Sequence, residues 1–222
     1  MYKKFLKDKK NKVVIAREYQ RILGVKVDST STASVLRLVR SSILGRKKFY
    51  IVTPNPEIVM QAQKDPDLKK VLNGADVSLP DGVGLAQAQL FLRLPHPKSI
   101  AIRFLTLFIQ GLGVGFLTIV DNKKITQGLE IISGRKMFLE LIKLANRKKW
   151  RVYLLGGEKD EAIVSKKELE KTYKAVVIKA HAGPMLNEEG VPIFKRDEET
   201  ENNVIEEINN YNPHLLFVAF KF

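Results

Sequence analysis

Residues 151–182 read RVYLLGGEKDEAIVSKKELEKTYKAVVIKAHA, and this stretch decides the fold. Arg151–Leu155 is a short apolar strand, Gly156-Gly157 breaks it, and a helical pattern runs from about Lys159 to Tyr173. Ala175–Ala180 is then a second strand. Strands that are apolar throughout, with helices between them, argue for a parallel sheet covered on both faces. The same alternation extends outward. Upstream, Ser31–Leu44 places Val35, Leu36, Leu38, Val39 and Ile43 near helical spacing, and Phe49–Thr53 reads as a strand stopped by Pro54-Asn55-Pro56. Glu57–Lys64 is helical. Asp65 caps the next helix, with Pro66 in its first turn and Gly74 at its end. Val77–Leu79 is a short strand leading into Pro80-Asp81-Gly82, and Lys136–Lys149 is a further helix. Downstream, Glu198–Tyr211 is helical and His214–Phe220 is a strand. The expectation is an α/β, Rossmann-like, mostly parallel sheet with helices on both faces.

Composition narrows the function classes. The 222 residues carry 38 Lys+Arg against 24 Asp+Glu, a formal charge of +14, with 45% hydrophobic and 28% charged residues. This is globular composition, long enough for a real core. With no cysteine, a disulfide framework, a thiolate metal site and a cysteine nucleophile are excluded, and three histidines make a histidine-built zinc centre a poor reading. Residues 1–50 hold 14 Lys+Arg and 3 Asp+Glu, a local +11, so the remainder is nearly neutral. The expected organisation is a basic extension over residues 1–20 and one domain over 21–222. The basic front end is either a solvated tail or points to a polyanion, nucleic acid or an anionic membrane. Met1–Lys12 has six Lys with no apolar run behind it, which is not a secretory signal.

Phe104–Val120 (FLTLFIQGLGVGFLTIV) has 17 residues and no charge, flanked by Lys98 and Arg103 before and Lys123 and Lys124 after. That is borderline against the ~20 residues of a spanning helix. Gly111, Gly113 and Gly115 would weaken a helix there. A buried core segment and a membrane-dipping insertion both remain open.

In sheets of this kind ligands sit beyond the carboxyl ends of the strands. Asp81, held between Pro80 and Gly82 just past a strand, is either a general base for a substrate hydroxyl or a helix cap. Thr53 and Asn55 offer a hydroxyl and an amide to a sugar or phosphate, or simply build the turn. Gly156 and Gly157 open a helix whose backbone N–H groups suit a phosphate, without the full dinucleotide spacing. His181 ends a strand ahead of Ala182-Gly183-Pro184 and is either a donor to a phosphate or a structural histidine beside a turn, while His96 and His214 show no partner in sequence. Asp65-Pro66-Asp67 matches a metal-holding Asp-x-Asp pattern, but capping accounts for all three residues.

Five stretches together, ILGVKVD (22–28), TPNPEIVMQAQKDPDLKKVLNGADVSLPDGVGLA (53–86), VYLLGG (152–157), HAGP (181–184) and NPHLLFVAF (212–220), resemble the WecG/TagA/CpsF family of bacterial glycosyltransferases. They span most of the chain, and TPNPE with LPDGVG at this spacing is specific. The resemblance implies inverting transfer of N-acetylmannosamine, or a related sugar, from a UDP-sugar to polyprenyl-diphosphate-linked N-acetylglucosamine, without a metal. It implies work at the cytoplasmic face of the membrane, in teichoic acid or other surface-polysaccharide synthesis. A homo-oligomer is possible, and no nucleic acid is expected. On this resemblance Asp81 is the base, Thr53 and Asn55 line its pocket, and Gly156 and Gly157 lie on the nucleotide side; Gly82, His181 and Gly183 are further candidate substrate-binding residues.

Three departures accompany the resemblance. Gly134 matches a family glycine preceded by an arginine, but Ile131 occupies the matching position, leaving Arg135 as the substitute or the alignment slipped. Residues 93–128 read as an insertion that contacts lipid and helps present the polyprenyl acceptor. The family continues past the VAF strand with Gly-x-Pro-Lys-Gln-Glu, whereas this chain ends Phe220-Lys221-Phe222, which reads as a fragment. From another class, a nucleic-acid-binding module would interleave aromatic residues with the cations. Residues 1–50 hold only Tyr2, Phe5, Tyr19, Phe49 and Tyr50 and no binding motif. A dinucleotide oxidoreductase lacks the glycine fingerprint.

Overall fold

The computed structural model describes residues 18–95, 97, 99–120, 132–158, 160–187 and 190–220. Most of the basic extension, His96, Lys98, Lys123, Lys124, Ile131 and the last two residues therefore lie outside the described residues. By contact the chain divides into two compact units, Met1–Met137 and Phe138–Phe222, where the sequence suggests a single domain after residue 20. Each is α/β with parallel strand pairing.

The first unit opens with a hairpin that the sequence reading does not assign. Strand β1 (Glu18–Ile22) begins inside the expected extension and pairs antiparallel with β2 (Val25–Ser29). The two-residue turn, Leu23 at φ 50 and Gly24 at φ 80, has the left-handed pair that matches strand twist in tight hairpins. Val25 and Val27 are fully buried, each contributing about 1.5–3 kcal/mol of hydrophobic stabilisation. Helix α1 (Thr32–Leu44) follows, capped by the Ser31 side chain. Strand β3 (Ile51–Val52) is shorter than the five residues expected, and it pairs parallel with β4 (Val77–Ser78). Between them lie α2 (Pro56–Gln61) and α3 (Pro66–Gly74). Asp65 caps α3, its Oδ1 accepting from Asp67 and Leu68 N–H at 2.9 Å each, as read from the sequence. Ile22, Val25, Val27, Val59, Ala62, Leu72 and Leu85 form one buried cluster.

Helix α4 (Val83–Arg93) leads to α5 (Ile100–Val120), which contains the apolar run. The three glycines do not interrupt it. The buried-core reading of this segment is overturned: Phe104 is 77% exposed and Phe116 65%. Among the described residues only one side of α5 has a neighbour, with Val114 buried and Gln110 Nε2 donating to the Pro95 carbonyl at 2.8 Å. No helix among the described residues is long and apolar enough to cross a membrane.

Helix α6 (Gly134–Lys148) begins in the first unit and continues into the second. There β5 (Arg151–Gly156) is the central strand of a parallel sheet ordered β6-β5-β7, with β6 at Val177–His181 and β7 at Leu215–Ala219. Helices α7 (Glu161–Thr172) and α8 (Lys195–Tyr211) make the crossovers. Side-chain contacts place helices on both faces, as expected. Tyr153 Oη donates to Glu207 Oε2 on α8 at 2.9 Å. Burial and the neighbouring Glu207 carboxylate keep that phenol protonated far above the usual range. Leu154 pairs with Phe217, which shares its opposite face and meets Phe138 of α6 edge-on at 4.7 Å.

His214 closes the other end of this sheet. Its Nδ1 accepts from the Arg151 N–H at 3.1 Å, and its ring stacks on Trp150. Burial first, and the Arg151 charge second, lower its pKa below the ordinary 6.5. A lowered folded-state pKa means that the neutral imidazole stabilises the fold fully above pH 6.5, and that this contribution fades as pH falls below it. Urea midpoints measured across this range should fall on acidification, and His214→Leu should remove part of that slope. An identical slope in the variant would contradict the assignment.

Candidate active site

The first unit brings Thr53, Asp81 and Gly134 to one place. The β3–β4 pairing continues beyond the strands: Leu79 N–H donates to the Val52 carbonyl and Asp81 N–H to the Pro54 carbonyl, both at 2.9 Å. The loops carrying TPN and PDG are thereby held side by side at the carboxyl ends of two parallel strands, where ligands bind in such sheets. Helix α6 starts against them. A Cβ added to Gly134 would stand 3.1 Å from Thr53 Oγ1 and 3.2 Å from Asp81 Oδ2. Both oxygens thus flank one point, within two hydrogen-bond lengths of each other. Glycine at 134 lets the start of α6 come close, where an added Cβ would make the Thr53 and Asp81 oxygens give by a few tenths of an ångström.

Asp81 is half-buried, and no hydrogen bond or ion pair from a described residue engages its carboxylate. The capping alternative is not what the structure shows, because Gly82 is the N-cap of α4 with no side-chain cap bond. Gly82 is exposed at φ 92 with open space around it. Asn55, in contrast, does cap a helix: its Oδ1 accepts from Ile58 N–H at 2.8 Å, which leaves its amide NH₂ for other partners. Arg135 is exposed in the first turn of α6, and Ser133 Oγ accepts from Lys136 N–H at 3.3 Å.

The second unit gathers the other expected residues at the carboxyl end of its own sheet. Gly156, at φ 97, lies against the Ala219 carbonyl, and Gly157 N–H donates to that same oxygen. Glu158 N–H donates to Glu161 Oε2 at 3.0 Å. Two of the amides that the sequence offers to a phosphate are therefore spent within the protein, and the groove beside them is lined by Glu158, Asp160 and Glu161. The backbone at Gly156-Gly157 turns as expected, but its donors face inward because β7 ends directly alongside. His181 Nδ1 accepts from Gly183 N–H at 2.8 Å, which leaves Nε2 as the group free to donate. A Cβ on Gly183 would collide with the Phe220 ring at 2.8 Å.

A family model described as the Glycosyl transferase WecG/TagA/CpsF family matches residues 20–110 and 117–221. The chain belongs to the WecG/TagA/CpsF family. A Bacillus spizizenii protein named N-acetylglucosaminyldiphosphoundecaprenol N-acetyl-beta-D-mannosaminyltransferase is 23% identical over 196 residues, covering 88% of this chain and 59% of that protein. A Bacillus subtilis protein of the same name is 25% identical over 198 residues, with the same two coverages. A Staphylococcus aureus protein, also so named, is 23% identical over 203 residues, covering 90% and 63%. The chain spans about three fifths of the length of the curated relatives it matches. Within this WecG/TagA/CpsF chain, the family match omits only residues 111–116 of the segment read as an insertion.

One residue that the sequence reading passes over supports the site from beneath. Asp28 is 3% exposed, and its Oδ2 accepts from the Ser78 N–H at 2.7 Å, tying the hairpin to β4 three residues ahead of Asp81. The available signal was a carboxylate closing the apolar run ILGVKVD, where burial demands a partner.

Proposed function

We propose that this chain carries the catalytic base of an inverting glycosyltransferase. In this reading the enzyme moves N-acetylmannosamine, or a related sugar, from a UDP-sugar to polyprenyl-diphosphate-linked N-acetylglucosamine. The observation that carries the reading is the Asp81 carboxylate, without a partner among the described residues and set beside Thr53 Oγ1 and the start of α6. The relatives' printed name supplies the acceptor class and a β-linked product.

The chemistry follows from the parts. Asp81 accepts the proton of the acceptor hydroxyl as its oxygen attacks the anomeric carbon of the donor sugar. The bond from that carbon to the diphosphate oxygen breaks, and UDP departs with the electron pair. An α-linked donor then gives a β-linked product. The Thr53 hydroxyl and the Asn55 amide hold polar groups of the sugars. The Gly134 and Arg135 N–H groups at the start of α6, with the Arg135 guanidinium, steady the departing diphosphate, so no metal is invoked. Gly156, Gly157, His181 and Gly183, at the strand ends of the second unit, are the candidate residues for binding the nucleotide. His181 Nε2 is the donor there, in place of the amides already bonded internally. The basic residues put the enzyme at an anionic membrane surface on the cytoplasmic side.

The test is transfer at the protein's natural length from UDP-N-acetylmannosamine to a short-chain lipid-diphosphate N-acetylglucosamine, with chelator present and the product linkage read by NMR. A β-linked disaccharide formed in chelator supports the reading. Failure of every UDP-sugar offered, or an α-linked product, overturns it.

A further inference from the structure

We infer that α5 is a lipid-docking helix that lies flat in the surface of an anionic phospholipid bilayer, its outer face inserted and α4 on the water side. This rests on the membrane location proposed above but not on the transfer chemistry. Phe104 and Phe116 are 77% and 65% exposed, and Ile102, Leu105, Phe108, Ile109 and Leu112 are all 58–61% exposed. At about 100° per residue, these side chains and Gly111, Gly113 and Gly115 fill an arc of about 200° without one polar group. The rest of the circumference carries Val114, buried, and Gln110, which bonds to the Pro95 carbonyl. An apolar face this wide on a helix that is held from behind fits an interfacial helix, whose outer face enters the headgroup and acyl boundary while its polar side stays with the protein.

The charge pattern selects the occupant. From Gly82 to Val120 the sequence holds Arg93, Lys98 and Arg103 and no Asp or Glu, and Asp121, which follows, is itself succeeded by Lys123 and Lys124. Arg103 is exposed in the first turn of α5. Arg103 stands on the polar side of the helix with Gln110, so α5 pairs a wide apolar arc with a cation at its start, which complements a sheet of acyl chains under anionic headgroups. A second copy of the chain fits less well. Ile102, Leu105, Ile109, Leu112 and Phe116 follow the spacing of a two-helix seam, but such a seam is narrow and leaves Phe104 and Phe108 in water.

Flotation on vesicles of phosphatidylcholine, with and without phosphatidylglycerol, tests this using the whole chain. The wild type should float with the anionic vesicles and weaken as salt is raised. The combined Phe104→Ser, Phe108→Ser and Leu112→Ser variant should partition at least about tenfold more weakly. Arg103→Gln should weaken binding by a smaller factor that disappears on neutral vesicles. If the triple variant floats like the wild type, α5 is not the docking element, and the membrane location stands on other cations. If the wild type does not float at all, the location fails as well. A wild-type dimer that the triple variant turns into a monomer, without vesicle binding, would make this face a contact between copies and overturn the inference. Phe108→Trp guards against misfolding of the triple variant. Its emission should shift to the blue and be quenched by shallowly brominated lipid, and an unshifted emission counts against docking.

Discussion

Asp81→Asn is expected to leave the fold intact and to lower turnover by about two to four orders of magnitude, the usual contribution of a positioned general base. Asparagine has the same shape and keeps the backbone bond from residue 81 to the Pro54 carbonyl. The carboxylate has no partner among the described residues, so its replacement removes no structural interaction. What disappears is the proton acceptor. On the proposed mechanism the loss should therefore sit in kcat, with KM for the donor little changed, since the base would act on the acceptor hydroxyl in the transition state. Initial rates over a range of donor concentrations, beside a thermal melt, separate these effects. Turnover near wild type in a folded variant would remove Asp81 from its assigned role.

Gly156→Ala should produce the largest loss of stability of any one-carbon change at the site, about 2–5 kcal/mol. Two penalties add there. At φ 97 an L-residue is strained, which costs on the order of 1–2 kcal/mol. The new methyl would also press on the Ala219 backbone, 2.8 Å from its carbonyl carbon, in a sheet where β5 and β7 are held in register. Such overpacking costs typically 1–3 kcal/mol. Equilibrium unfolding in urea measures the sum. A loss below about 1 kcal/mol would show that β7 moves aside freely, and the turn would then be no fixed part of the site.

Much of the architecture was legible because the sequence signals were local. Asp65 caps a helix, Pro66 opens it, and VYLL followed by Gly-Gly marks a strand end at a parallel sheet; these depend on neighbours within a few residues. The hairpin at Glu18–Ser29 was missed because β1 begins in a charged stretch, and only the left-handed Leu23-Gly24 pair marks the turn. The strand at Phe49–Thr53 shrank to two residues because only Ile51 and Val52 stand in ladder register with β4, although the Tyr50 carbonyl still accepts from the Val77 N–H. Of the candidate site, the location of Thr53, Asn55 and Asp81 at strand ends could be read directly. That Asn55 is also a helix cap was open, and so was the inward use of the Gly157 amide.

The alternation of strands and helices on either side of the apolar run, the positions of Asp81 and the glycines, and the basic front end were determined by the sequence alone, since each is a matter of residue type and short spacing, whereas the hairpin and α4 were not. The tertiary structure decided which of them meet. Gly134 stands 53 positions from Asp81 in the chain, and no periodicity links the two, yet the start of α6 closes on the Asp81 and Thr53 oxygens. The fate of the apolar run was decided in the same way. Hydropathy measures how strongly a segment avoids water, whereas burial depends on whether another surface exists to cover it, and for α5 the described fold supplies that surface on one side only.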